Sequence, residues 1–278
     1  MPGEPNTNAD PADVVLSTPD LVCFWDLQEA GGDRVGRGPN RYRLREHGGR
    51  VERAEPPGGA VFGRYAARFA GGWRDGGMLL ARRAECPGLD IHGPRAQVSV
   101  VAWVLRDPTP PDRAWQCQAV AGMWNEHSRR QYCLFLNLRI HESAEQVGAH
   151  VSAVGGPTPG FKYCMDAAIG ATPVPAGRWQ CAAISYDGEA ARAYLNGRLD
   201  ERGDRNPYRY AGGIFDGGPG GADFTVGAVT RPEKVTEDKR EHGSIVGNRF
   251  AGLLGGLAVF RRALTAAEMH HLAALTPS

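Results

Sequence analysis

A chain of 278 residues with a formal net charge of +1, its acidic and basic residues interspersed rather than blocked, offers no basic stripe for a phosphate backbone. Nucleic acid is therefore not an expected partner. No apolar run approaches the about 18 residues of a membrane-spanning helix, and a core of ordinary size needs no metal or disulfide staple, since a chain of this length buries roughly three quarters of its unfolded surface.

Residues 1–19, rich in Pro, Asn and Asp, read as a flexible N-terminal arm, and 20–278 as one domain. MPGEPNTNADPADVV has neither a basic start nor an apolar stretch, so no signal peptide is visible. If that N-terminus is native, a cytoplasmic location is expected. The 38 Gly and 20 Pro suit short strands and frequent turns.

LVCFWDL (21–27) opens the strands, and VSVVAWVLR (98–106), apolar on both faces, predicts a buried sandwich strand. CQAVAGMW (117–124), QYCLFLNLRI (131–140) and VGAHVSAVG (147–155) follow, and then a Gly- and Pro-rich excursion over 156–177. WQCAAISYD, ARAYLNG, DFTVGAV (223–229) and FAGLLGGLAVF (250–260) complete the set. Asp187-Gly188 and Asn196-Gly197 mark consecutive hairpins. Thr265 and Glu268 have the spacing of a capping box and predict one terminal helix.

Trp25, Trp103 and Trp179 lie inside apolar strands and are expected in the core. The six cysteines show no C-x-x-C spacing. Those within apolar strands are expected as buried thiols, with a disulfide the alternative. His270 and His271 are adjacent, about 100° apart on a helix, and cannot form a zinc pair at i, i+4.

The ordered segments AWV (102–104), RWQCAAISYDG (178–188), AYLNG (193–197), FTVGA (224–228) and FAGLLGGLAVFRRALTAAEMHHL (250–272) resemble the laminin-G-like branch of the concanavalin A-like lectins and glucanases. LVCFWDLQEAGGD (21–33) and AARFAGG (66–72) are similar to that family's N-terminal strand and R-F-x-G strand end. The resemblance implies an all-β fold, an antiparallel two-sheet β-sandwich or jelly roll with one concave face, closed by a short C-terminal helix.

Relatives commonly carry acidic residues where this chain has Phe69-Ala70-Gly71 and Gly255-Gly256. Those positions serve calcium in some of them, so no cofactor is expected here. Asp26, Glu29 and Asp33 remain as the oxygen donors for a calcium ion.

The same scaffold hosts lectins, hydrolases and lyases, so the site must decide. Glycoside hydrolysis needs two carboxylates across one bond. The pairs Asp26 with Glu29 and Glu142 with Glu145 have spacings that place them on opposite strand faces. Alternation puts Asn137, Arg139, His150 and Ser152 on one polar face, the place for a sugar or, in a lyase, for Arg139 and His150 to act on a uronate. A plain solvated sheet face is the alternative.

Three loops combine an aromatic ring with hydrogen-bonding groups suited to a sugar. They are Trp124-Asn125-Glu126-His127, Trp73 with its neighbours, and Tyr163 with Asp166. Anchoring of a loop to the domain edge is the competing explanation for each. The leading expectation is a non-catalytic carbohydrate-recognition or accessory domain. An enzyme of the same fold and a protein-interaction module are the alternatives.

Overall fold

Val98–Arg106 and Ala251–Phe260 pair antiparallel along nearly their whole length and form the middle of one sheet. The computed structural model describes residues 10–56, 58–72, 76–114, 116–230 and 246–277. On one side of the central pair the sheet continues through Gln180–Tyr186, Ala190–Leu195 and Arg198–Leu199. On the other it continues through Ala66–Ala70 and Glu52–Ala54, while Leu21–Trp25 also pairs with Ala251–Phe260.

The second sheet runs Ala167–Pro173, Gln146–Val151, Tyr132–Leu136, Gln118–Met123, Phe224–Val226, Met78–Ala81, Arg43–His47 and Arg34–Val35. Two antiparallel sheets in this order form the expected sandwich. The excursion over 156–177 is not all loop, because Ala167–Pro173 adds the strand at that sheet's edge.

Strand alternation sorts the core into layers. Val98, Val100, Ala102 and Val104 share one buried cluster with Leu134, Leu136, Val147, Ala149 and Val151. Val101 and Trp103 face the other way, into a second cluster with Phe62, Trp179, Met269 and Leu272. The strand is apolar on both faces because a second apolar layer covers its outer side. Trp25 and Trp103 are fully buried and Trp179 nearly so.

That layer includes a helix within the expected arm. Asp10 accepts a hydrogen bond from the Ala12 N–H at 3.0 Å, Pro11 occupies the first turn, and Pro11–Ser17 is helical. Ala12 and Val15 are buried beneath it. At least from residue 10 onward, the segment belongs to the folded domain, because its apolar face covers the outer face of the first sheet.

The terminal helix, Ala266–Ala273, has the capping box in full: Thr265 Oγ1 accepts from the Glu268 N–H while the Glu268 carboxylate accepts from the Thr265 N–H. His270 and His271 are exposed. Thr265→Ala is expected to lower the unfolding free energy by about 1 kcal/mol, read as a reduced denaturant midpoint at constant slope, with Thr265→Ser close to wild type.

The Asn196-Gly197 turn has positive φ at both residues, +50° and +76°. It also receives this helix: a Cβ on Gly197 would lie 2.7 Å from His270 Cα. The six cysteines are free thiols, with Cys117 the one not fully buried.

Candidate functional site

The outer face of the second sheet is apolar, not polar as alternation alone implied. Phe135 and His150 do point to this face, but they join Trp124, Ala119, Cys133, Leu138, Cys164 and Ile169 in a covered layer. His150 and Ser152 are buried, the latter through a hydrogen bond from the Gly155 N–H to its Oγ at 2.9 Å.

Regular alternation ends earlier than the sequence implies. The strand stops at Leu136, and Asn137, Arg139, His141 and Glu142 all have positive φ, between +50° and +61°. Leu138 consequently folds onto the same face as Phe135. Gly148 makes room for it, since a Cβ there would sit 2.3 Å from Leu138 Cδ1. Asn137 instead turns away and is buried, its Nδ2 donating to the Ala114 and Gln116 carbonyls at 3.3 and 2.8 Å.

Above this layer lies a cleft of about 370 Å³. Its apolar lining includes Trp124, Phe135, Leu138 and Cys164, and its polar lining includes Glu126, Arg130, Arg139 and Asn248. Trp124 is 2% exposed, its ring 4.6 Å from that of His150 and edge-on to Phe135. It is a floor residue and not a loop platform. Tyr163, 58% exposed, stands at the rim.

The polar edge is cross-braced. Glu126 Oε2 accepts from Arg130 Nη2, and Glu126 Oε1 accepts from Asn248 Nδ2 at 3.2 Å. Asn125 does not reach the cleft; its Oδ1 accepts from the His127 and Arg129 N–H groups and shapes the turn. His127 is exposed outside the cleft lining.

Asp166 supports the site from behind. Its carboxylate accepts from Thr158 Oγ1 at 2.6 Å and from the Tyr208 hydroxyl at 3.1 Å, and its carbonyl faces His150 Nδ1 at 3.0 Å. A carbonyl only accepts, so Nδ1 carries the proton and Nε2 is bare in the neutral ring.

Burial pushes the His150 pKa down to about 3; the Asp166 carbonyl opposes this and the Arg130 charge adds to it. Burial likewise raises the thiols of Cys117, to about 11, and Cys164. Cys164 Sγ lies 3.9 Å from His150 Nδ1, but the pair is neutral thiol beside neutral imidazole and not an ionised nucleophile.

The expected residues thus divide. Trp124, Glu126, Arg139, His150 and Tyr163 line one cleft, while Asn125, His127, Asn137 and Asp166 do not. Trp73 lies outside the described residues. The sequence reading missed Arg130 and Phe135. Arg130 stands four residues after Glu126, and Phe135 shares a strand face with the partner of His150, so both had a legible spacing signal.

The carboxylates considered for calcium are engaged by their own chain. Asp26 pairs with Arg37 at 2.8 Å, and Glu29 Oε1 accepts from the Val35 N–H at 2.7 Å. Asp33 faces Arg43 at 3.5 Å, and no cluster of metal-binding side chains occurs among the described residues. No helix of the described residues is long and apolar enough to cross a membrane.

An antiparallel β-sandwich of this strand order is the scaffold of the concanavalin A-like folds. The chain belongs to the concanavalin A-like lectin/glucanases superfamily, in its laminin-G-like branch, with residues 86–270 matching the family. No curated protein matches it significantly.

Among solved structures, it is similar to domain 4 of an extracellular arabinanase from Geobacillus stearothermophilus, in complex with arabinotriose. The TM-score is 0.51 at 18% identity, covering 91% of this chain and 98% of that one. It is also similar to Trypanosoma rangeli sialidase in complex with the inhibitor DANA, with a TM-score of 0.56 and 13% identity. That match covers 95% of this chain but 36% of the sialidase. The binding domain of Paraclostridial mosquitocidal protein 1 matches at a TM-score of 0.54 and 10% identity, over 91% of this chain and 52% of that one. These likenesses establish the shared fold.

Proposed function

We propose that this domain is a non-catalytic carbohydrate-binding module whose ligand sits in the cleft between Trp124, Arg139 and Tyr163. The observation that carries this reading is the cleft's division into an aromatic and aliphatic floor and a hydrogen-bonding edge fixed by the Glu126, Arg130 and Asn248 network. A pyranose or furanose has the complementary division, with C–H faces that pack on rings and hydroxyls that need oriented donors and acceptors.

Two further points support it. The arabinanase domain of the same fold is in complex with arabinotriose, so the scaffold is able to hold an oligosaccharide. Glu126 is the one carboxylate among the described lining residues and is already ion-paired, whereas hydrolysis by the usual route uses two.

Calorimetric titration against a panel of neutral and charged oligosaccharides, run beside a reducing-end and unsaturated-uronate assay, tests the reading. The expected outcome is saturable binding with the polymer unchanged. Tyr163→Ala is expected to weaken binding about tenfold, the loss typical of removing one stacking aromatic, with an unchanged melting temperature because the ring is exposed. Turnover would make the domain an enzyme. A failure to bind any sugar, with a single protein captured reproducibly, would make it an interaction module.

A further inference from the structure

Two guanidinium groups, Arg130 and Arg139, line the cleft against one carboxylate, Glu126. Arg130 is 8% exposed, and its guanidinium lies 5.7 Å from the centroid of the Trp124 ring. Nη2 is spent on Glu126, whereas Nη1 is buried without a hydrogen-bond partner. A buried cation neutralised through one of its two ends is poorly compensated, because a desolvated donor without an acceptor is costly.

Arg139 is placed differently. It is exposed, and its guanidinium makes no hydrogen bond or ion pair with a described residue. The Glu145 carboxylate, which feels the Arg139 charge, spends its hydrogen bond on Arg106 and is partly neutralised by it. At the rim, Lys162 Nζ stands 5.2 Å from the centroid of the Tyr163 ring and adds a third cation. The opening of the cleft therefore carries an excess of positive charge over a low-dielectric floor, an arrangement that focuses the field on an entering anion.

The backbone beneath Arg139 is held in place. Four residues with positive φ between Asn137 and Glu142 occupy the left-handed region that non-glycine side chains disfavour. The segment stays there because Asn137 is tied to the Ala114 and Gln116 carbonyls, His141 Nε2 lies 2.9 Å from the Met165 carbonyl, and Arg202 Nη2 donates to the His141 carbonyl at 3.1 Å. An unpaired cation on so constrained a segment has its backbone position set before a ligand arrives, which reduces the ordering cost of binding.

We propose that the saccharide taken by this cleft is anionic: Arg139 meets a carboxylate or sulfate on the sugar, and the incompletely neutralised Arg130 supports the same negative charge from the floor. This rests on the carbohydrate reading above. A planar guanidinium binds such oxyanions through paired N–H donors, which a neutral hydroxyl cannot match.

Calorimetric titration of the whole chain with two matched pairs of probes tests it. One pair is an oligogalacturonate and its methyl ester; the other is a sulfated galactan oligosaccharide and its desulfated form. At least one charged probe is expected to bind about tenfold or more tightly than its neutral counterpart, the ratio typical of one charge-assisted hydrogen bond. The pair showing the preference identifies carboxylate or sulfate.

Arg139→Gln is expected to erase that preference, bringing the charged probe's affinity down to that of its neutral counterpart, with the melting temperature unchanged because the side chain is exposed. Equal affinity for charged and neutral probes, or a preference that survives in Arg139→Gln, overturns the anionic assignment and leaves carbohydrate binding standing. If no sugar of either kind binds, in these pairs or in the wider panel, both readings fall.

Discussion

Trp124→Ala is expected to lower the unfolding free energy by about 3–5 kcal/mol, the usual cost of truncating a fully buried Trp, and to abolish the proposed saccharide binding with it. The ring is 2% exposed and packs on Phe135, His150 and the Arg130 guanidinium, so its removal opens a cavity under the cleft and frees the Glu126 to Arg130 brace above it. Neighbouring side chains cannot close such a gap, because the strands that carry them are fixed in the ladder.

Trp124→Phe separates the two effects. It retains much of the packing and is expected to stay folded at 25 °C with a smaller loss of stability, while binding weakens through the reshaped floor. Chemical denaturation gives the first quantity and titration with the best oligosaccharide the second. Wild-type stability in Trp124→Ala would refute the role of this ring as the keystone of the outer layer.

The second large effect is acid sensitivity through His150. The folded protein holds this ring neutral, with a pKa pushed down to about 3 by burial, whereas in the unfolded chain it titrates near the ordinary histidine value of 6.5. Between those values the unfolded state binds a proton that the folded state refuses, so stability rises with pH and falls as the solution is acidified.

The slope from this one group approaches about 1.4 kcal/mol per pH unit once the unfolded ring is fully charged, so that about 2.3 kcal/mol is lost between pH 6.5 and pH 4.5. Denaturant melts at the two values, compared between wild type and His150→Phe, measure it: the variant is expected to show a smaller drop by that amount. A proton NMR titration gives an independent check, since the His150 ring should remain uncharged at pH 4.5. A ring that titrates near 6.5 in the folded protein would overturn the assignment.

The fold was legible because it is written in local chemistry. Val98–Arg106 has the β-branched content of a buried strand, Asn196-Gly197 has the residues that accept positive φ, and Thr265 with Glu268 has the capping box. The helix Pro11–Ser17 was equally legible, with Asp10 as cap, Pro11 at the start and Asp13 in the first turn. Its Pro- and Asn-rich surroundings concealed it.

The site was only half legible, and the reason is physical. Strand periodicity places side chains on faces as long as the strand continues, which is why Phe135 and His150 share one. It says nothing about what covers a face, nor where a backbone leaves the ladder. Positive φ at Asn137 and the missing side chain at Gly148 turned Leu138 onto the outer layer and sent Asn137 into the interior.

By itself the sequence determined the sandwich, its hairpins and its terminal cap, because these depend on residues close together in the chain. Only the tertiary structure decided that Trp124, Arg130, Arg139, His150 and Tyr163 share one cleft, and that His150 is neutral there. Those properties depend on burial and charge contributed by segments far apart in sequence, which no local pattern records.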